Sequence, residues 1–296
     1  MELRHLLGFM AVAEELHFAR AAERLHIEQL PLSRTIKELE SDIGARLFER
    51  NSRGTRLTKP GEALAEAALR ISQAIEQAQS NVKAVAEGYR CTLRIALSDG
   101  ILPQRLAALL ACCREEEPEV EIRLFEVPLS HQLKGLREDL YDAGFVRSKV
   151  VGGSVMAQPV WQTPITLAVP ARHPLLVHKL IPLEEALNYP LILFNPLTHA
   201  GLHEQIDCLL RQMPSPAKVA ERVSSHEVML TLVAAGYGLG LTTEAQMTLC
   251  QNIEIVTRPL AGDPPLLTSY LLRSFNEPSE PLKRFSARVT EMDSSF

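Results

Sequence analysis

Between Phe18 and Gly44 the chain reads FARAAERLHIEQLPLSRTIKELESDIG, and this stretch limits what the chain can fold into more than any other. Ala21, Ala22 and Leu25 recur at helical spacing, with small residues where another helix must come close. Leu32, Ile36, Leu39 and Ile43 repeat an apolar stripe on a second helix, and His26 to Leu30 form a tight connection between the two. That is the pattern of a helix-turn-helix, whose second helix enters the DNA major groove. Its polar face offers Gln29, Ser33, Arg34 and Lys37. Gln and Arg pair with base edges in two-pronged fashion, and Ser and Lys reach phosphates. The spacing also fits a plain helical hairpin with a solvated polar face.

The flanks extend the pattern. Glu2 to Leu16 reads as a first helix, with Leu3, Leu6, Leu7, Met10, Val12 and Ala13 on its core face. Phe48 to Thr58 is rich in turn residues, and Asn51-Ser52-Arg53-Gly54 predicts a β-turn at the tip of a two-stranded wing. The net charge of −5 is unusual for a DNA binder, but Arg46, Arg50, Arg53, Arg56 and Lys59 lie within fourteen residues, opposed only by Glu49. Thr58 is a candidate N-cap and Pro60 suits a first turn. A long Ala-rich helix then runs to Glu87 with Leu64, Ala67, Ala68, Ile71, Ile75, Ala78, Val82 and Val85 in a near-heptad stripe, which calls for a partner. Gly88 ends it.

The motif residues Ala21-Ala22, Leu25, Gln29, Leu32-Ser33-Arg34, Leu39-Glu40, Gly44, Leu47-Phe48, Arg50, Leu57-Thr58 and Gly61 resemble the N-terminal domain of the LysR-type transcriptional regulators. The match is specific over about sixty residues, and the later segments LRIALSDG, DAGF and VAAGYGLGL carry it along the chain. The resemblance implies a winged helix-turn-helix domain (residues 1–58), a dimerising linker helix (59–88) and an α/β, two-lobed, periplasmic-binding-protein-like effector domain (89–296). Lobe I would span about 89–161 and 267–296, and lobe II about 162–266. DNA contacts would come from Gln29, Leu30, Pro31, Ser33, Arg34, Lys37, Arg50 and Arg53, the last reaching the minor groove or its phosphates. Two departures stand out: relatives usually carry Ser before the Gln and Pro after it, where this chain has Glu28 and Leu30. Glu28 can accept the helix N–H groups but repels phosphate.

Beyond residue 88 short strands alternate with helices. Strands are expected at Thr92 to Leu97, Glu119 to Val127, Asp142 to Val146, Leu191 to Phe194, Gly236 to Leu241 and Leu266 to Arg273. Helices are expected at Leu102 to Arg114, Gln132 to Leu140, Gly201 to Arg211, His226 to Ala235 and Pro281 to Met292, with a crossover at Gln162 to Pro170. The resemblance implies a small-molecule effector in the cleft, commonly an anion at helix N-termini. Candidates are Ser98, Asp99 and Gly100 after the first strand, Leu129 and Ser130 after the second, and Arg147 after the third, the best fixed charge for a carboxylate. Asn195, Thr198 and His199 face them from the other lobe. Asp99 also reads as a simple helix cap, or as the partner of a donor-bearing ligand.

Other chemistries find less support. The GYGLG run follows a helix and lacks the strand-to-helix setting of a dinucleotide site. There is no G-x-S-x-G elbow, so no enzyme is expected. His199 and His203 are four apart, a spacing that binds metal, but no obvious third ligand joins them, so neither metal nor cofactor is expected. The five cysteines do not make a disulfide framework; Cys112 and Cys113 are expected in a helix core, and Cys208 and Cys250 lie apart in the second lobe. Met1 to Met10 runs directly into a helix rather than a signal peptide, and no apolar run approaches the ~18 residues of a membrane span, so a cytoplasmic protein is expected.

The function expected is that of a LysR-type regulator sensing an effector such as an aromatic acid or ring-cleavage product. The segments MELRHL, DAGF and LVAAG are similar to regulators of aromatic-compound catabolism. A redox- or metal-responsive regulator of the same type is the alternative. Expected partners are double-stranded operator or promoter DNA, the effector, further copies of the chain as a homodimer to homotetramer, and RNA polymerase, with no membrane.

Overall fold

A computed structural model describes residues 1–51, 54–98, 103–248 and 253–292. The chain divides into two compact units, Met1–Val82 and Lys83–Phe296.

The first unit begins with α1 (Leu3–Glu15), α2 (Phe18–Arg24) and α3 (Gln29–Ile43). The antiparallel wing strands β1 (Phe48–Asn51) and β2 (Gly54–Leu57) follow, then the first part of α4 (Lys59–Ala86). Leu6, Phe9, Phe18, Ala21, Leu32, Ile36, Leu39, Leu47 and Phe48 pack into one core, which Ala68 of α4 joins. Phe48 is clasped between the rings of Phe9 and Phe18 at 5.3 and 5.8 Å. Glu40 explains why a charged residue follows buried Leu39: one carboxylate oxygen accepts the backbone N–H groups of Leu47 (2.7 Å) and Phe48 (3.2 Å). Bonds to a charged acceptor contribute roughly 1.5–3 kcal/mol each and fix where the wing leaves α3. Thr58 caps α4 as expected, accepting from the Gly61 N–H at 3.0 Å. Any side chain at Gly61 would put its Cβ 2.1 Å from the Leu47 carbonyl oxygen.

Three expectations change in this unit. α3 starts at Gln29, so Gln29 and Leu30 lie inside the helix rather than in the connection. Pro31 then falls in the first turn, where its missing N–H costs no intrahelical bond. Leu3 and Leu7 are 46% and 45% exposed, because the α1 core face is Leu6, Phe9 and Val12 with His5, Gly8 and Ala11. Ile43 ends α3 exposed rather than in its apolar stripe.

The second unit holds β3 (Cys91–Leu97), α5 (Pro103–Glu116), β4 (Val120–Glu126), α6 (Leu129–Arg137), β5 (Ala143–Val146) and β6 (Val155–Pro170). A 3-10 turn at Pro174–Val177 and α7 (Leu183–Ala186) lead to β7 (Leu191–Phe194), α8 (Ala200–Arg211), β8 (Val219–Val223), α9 (His226–Ala234), β9 (Leu239–Thr243) and α10 (Glu244–Thr248). β10 (Ile255–Pro259), β11 (Leu266–Ser274) and α11 (Glu280–Glu291) complete it. The described strands run β4-β3-β5-β11-β6-β9-β7-β8, with β10 also paired to β6. The first four of these and the early part of β6 make one lobe, where β3 is parallel to both neighbours. β9, β7, β8, β10 and the later part of β6 make the other, where β7 is parallel to β8 and β9.

The expected crossover at Gln162 to Pro170 is the second part of one long strand. β6 pairs with β11 through Pro164 and with β9 from Ile165. Each lobe has its own core: Phe145 stacks on Trp161 at 4.8 Å in the first, and Leu193, Ile206, Met229 and Leu241 fill the second. Behind the first lobe Glu117 takes both Arg284 and Arg288, and Glu116 takes Arg288, tying the end of α5 to α11.

Candidate functional site

The helix-turn-helix presents its candidate residues on the outside. Gln29, Leu30, Pro31, Arg34 and Lys37 are exposed and Ser33 is half-buried, while Leu32, Ile36 and Leu39 anchor the opposite face. Leu30, Arg34 and Lys37 stand one or two turns apart, in a row beside Gln29 and Ser33. Leu30 is 72% exposed, an apolar group set among polar ones. Glu28 is the N-cap of α3, a position from which it can accept the helix N–H groups, but its carboxylate makes no capping bond. In the wing, Arg50 lies on β1 opposite Thr55, and Arg56 lies opposite Glu49. Arg53 is outside the described residues.

In the second unit the candidates gather at the carboxyl ends of parallel strands, where α/β sheets open a ligand crevice. Ser98 follows β3; its N–H donates to the Phe145 carbonyl at 3.1 Å, and its buried hydroxyl has no hydrogen-bond partner among the described residues. Asp99 and Gly100 lie outside the described residues. Glu126 ends β4, and Leu129 and Ser130 open α6, which starts three residues earlier than expected. Ser130 is exposed, whereas Leu129 packs toward Leu136 and Val146. Arg147, directly after β5, is 1% exposed.

From the other lobe, Asn195 follows β7 and shapes the turn into α8. Its side-chain oxygen accepts the Leu197 N–H at 2.9 Å, and its carbonyl accepts those of Thr198 (3.2 Å) and His199 (2.9 Å). His199 occupies the N-cap position of α8 without a side-chain capping bond, packs on Phe194 at 4.6 Å and meets the Thr198 hydroxyl at 3.0 Å. Burial pushes the His199 imidazole below its ordinary value, and the Arg147 charge adds to the effect while Glu126 opposes it. Arg147 and Glu126 of the first lobe are therefore electrostatic neighbours of His199 of the second. A crevice flanked by Arg147, neutral His199 and two helix N-termini can hold an anion, with Glu126 excluding one placed too near β4.

Sequence reading missed three residues here. Gln132 of α6 is fully buried, and its amide donates to the Ala96 (3.3 Å) and Phe145 (3.2 Å) carbonyls. Gly144 makes room for it: a Cβ there would lie 1.9 Å from Gln132 Nε2, which gives DAGF its glycine a packing reason. His226 opens α9 at the end of β8 and meets Thr242 Oγ1 at 3.0 Å. A lone Gln on a helix carries no sequence signal. Ser225, which caps α9 by accepting the Val228 N–H at 3.2 Å, does mark the strand end where His226 sits.

The remaining chemistries leave little geometry. His203 Nδ1 is 3.2 Å from the Arg222 guanidinium rather than aimed beside His199. Among the described residues no three His, Cys, Asp or Glu side chains converge as metal ligands would. Cys113 is buried as expected, but Cys112 is half-exposed and donates toward Glu116 at 3.4 Å. Burial pushes both thiols, and that of Cys91, up, which disfavours the thiolate. Cys208 is exposed on α8, and Cys250 is outside the described residues. No helix among the described residues is long and apolar enough to cross a membrane.

Comparison with known proteins agrees with this two-part construction. The family described as "LysR substrate binding domain" matches residues 86–293, and "Bacterial regulatory helix-turn-helix protein, lysR family" matches residues 3–62. The chain belongs to the LysR family. It is a LysR-type DNA-binding transcription regulator with an effector-binding domain. Among its relatives are the uncharacterized HTH-type transcriptional regulator YnfL of Escherichia coli K12, 32% identical over 81% of this chain and 82% of that one. BenM, an HTH-type transcriptional regulator of Acinetobacter baylyi, is 31% identical over 84% and 82%. The crystal structure of CbnR, a LysR family transcriptional regulator, shares the fold with a TM-score of 0.82 over 98% of this chain and 99% of that one, at 24% identity. This LysR-family chain thus has the winged helix-turn-helix and the two-lobed α/β effector domain expected of it.

Proposed function

We propose that this regulator senses a small carboxylate in the crevice between its lobes and transmits its presence to operator DNA. The resemblance of MELRHL, DAGF and LVAAG to regulators of aromatic-compound catabolism favours an aromatic acid or a ring-cleavage product. The observation that carries the reading is Arg147, buried directly after β5, one strand from a Ser98 hydroxyl without a hydrogen-bond partner among the described residues, and close enough to His199 to depress its protonation. In this arrangement Arg147 supplies the charge-assisted pair, Ser98 a hydroxyl donor, and Leu129, Ser130, Asn195, Thr198 and His199 the walls. Asp99 and Gly100 belong to the same corner by sequence. The protein reads DNA through Gln29, Leu30, Pro31, Ser33, Arg34 and Lys37 on α3, with Arg50 and Arg53 of the wing. Exposed Leu30 suits a thymine methyl group. It acts in the cytoplasm as a regulator rather than an enzyme, answering to RNA polymerase. Val82 and Val85 on α4 are exposed in the single chain, which suits pairing with a second copy in a dimer and, by analogy with its family, a tetramer.

A thermal-shift series with aromatic acids and their ring-cleavage products tests the reading. An acid at a hundredfold excess over its Kd should stabilise the fold by roughly 2.7 kcal/mol. Stabilisation only by ligands that present a donor or a positive group would replace the carboxylate with a ligand held by Asp99.

A further inference from the structure

Arg147 lies just beyond the last ladder pair of β5, in which Val146 faces Tyr270 of β11. Strand pairing therefore does not fix its backbone. A side chain from the opposite lobe does: Gln205 of α8 donates from Nε2 to the Arg147 carbonyl and to the Thr268 carbonyl (2.7 Å), and its Oε1 accepts the Thr268 N–H at 2.8 Å. One amide thus docks on the main chain of β11 and holds the first residue past β5. The neighbouring residue of the same helix extends the grip, since Glu204 accepts from the Ser148 hydroxyl at 2.7 Å, and Ser148 Oγ in turn accepts the Val150 N–H at 3.1 Å. A cavity of about 290 Å³, lined by Arg147, Gln205, Cys208, Leu267 and Tyr270, adjoins these bonds and leaves room for the segment to shift if they are lost.

We infer that Gln205 is a positioning residue for the effector site, holding Arg147 in the orientation that meets a ligand in the crevice. The inference rests on Arg147 being the ligand's charge partner. Because His199 stands at the N-cap of α8, less than two turns before Gln205, the helix that contacts the ligand also aims the arginine facing it. The arginine is then set for its ligand only while the two lobes are docked.

The test uses the full chain and the variants Gln205→Ala, Gln205→Met and Arg147→Met. Gln205→Met keeps the length and most of the volume of the side chain and removes its hydrogen bonds to Arg147 and Thr268, so it reports even where the alanine variant fails to fold. The first readout needs no ligand: the protonation midpoint of His199, followed by NMR. Arg147 lowers that midpoint and Glu126 raises it, so displacing the Arg147 guanidinium should raise it. Each Gln205 variant should raise it in the direction that Arg147→Met does, with no further rise when the two changes are combined. The second readout is the affinity for benzoate and for cis,cis-muconate, which should fall tenfold or more in the Gln205 variants while affinity for the DNA upstream of its own gene stays at the parent's value. A His199 midpoint unmoved by Gln205→Met overturns the inference, and so does an equal further rise on top of Arg147→Met. If the parent binds neither acid, the carboxylate reading falls, and the His199 midpoints still decide whether Gln205 positions Arg147.

Discussion

The two candidate sites of this molecule are built in opposite ways. On α3 the candidate DNA-contacting side chains project from one helix, all exposed but half-buried Ser33, with an apolar stripe behind them. In the crevice, the groups come from the ends of several strands and helix starts, and the decisive ones, Ser98, Arg147 and Gln132, are buried. A face on one helix is set by local spacing, so its residues can be exchanged singly at modest cost. A crevice is set by topology, and a buried polar group there such as Gln132 depends on partners far away in the chain.

This contrast can be broken most decisively at Arg147. Arg147→Ala should abolish the response to a carboxylate effector, a loss of about 3–5 kcal/mol in ligand binding, while DNA affinity survives. Parallel ligand and operator titrations check this, and an intact response would move the ligand out of the crevice. On the helix face the effect should be smaller. Arg34→Ala should cost about 1–3 kcal/mol and relax preference at one base position, whereas Arg53→Ala should weaken binding to most sequences and flatten its salt dependence. Operator titrations across salt concentrations distinguish the two, and unchanged affinity in both would remove α3 as the reader.

The third prediction concerns a buried charge outside either site. The hydrogen bond from Arg284, aided by Arg288 and opposed by burial, holds the Glu117 carboxyl below the usual range. A carboxyl depressed in the fold contributes stability that is fully present above its unfolded value, near ~4.3, and is lost as pH falls through the lower folded value. Glu117→Gln should therefore lower stability near neutral pH and flatten the acid dependence below about pH 4.3, as read by urea unfolding from neutral to acid pH. The smallest effect is expected at Glu28, which spends a charge at the α3 N-cap without making a capping bond. Glu28→Ser should stabilise the helix start by about 0.5–1 kcal/mol and tighten DNA binding, chiefly its non-specific part. Weaker binding would instead assign Glu28 a specific contact, such as one with a cytosine amino group.

The same difference governs what could be read from sequence. The helix-turn-helix and its motif were legible because spacing and residue type coincide there, down to the Thr58 cap. The face of α1 was misread because apolar residues occur on both sides of it, and spacing cannot choose between Leu3 and Leu6. β8 and β10 were missed because they read as mixtures of Val, Ile, Glu, Arg and Thr, as peripheral strands often do. The first part of β6 was missed because Gln158, Pro159, Gln162 and Pro164 interrupt it, and proline argues against a central strand. Arg147 and Ser98 could be nominated from sequence because they follow recognisable strands. Gln132 and Gln205 act only through residues far off in sequence, where no local pattern points to them.

The uninterrupted course of β6 has a mechanical consequence. A strand of sixteen residues belongs to both lobes at once, so the lobes are two plates on one torsion bar rather than the halves of a clam on a loose hinge. Turning one against the other must twist or shear a hydrogen-bonded ribbon, which stores elastic energy and returns it. The ribbon is softest where its register slips between Ser269 and Tyr270, opposite Pro159 to Trp161, since an extra residue there leaves the ladder locally unpaired and more twisted. Compliance is thus concentrated inside the first lobe's sheet, one residue from Thr268, and any strain raised at the crevice has a short path to the place where the bar can yield.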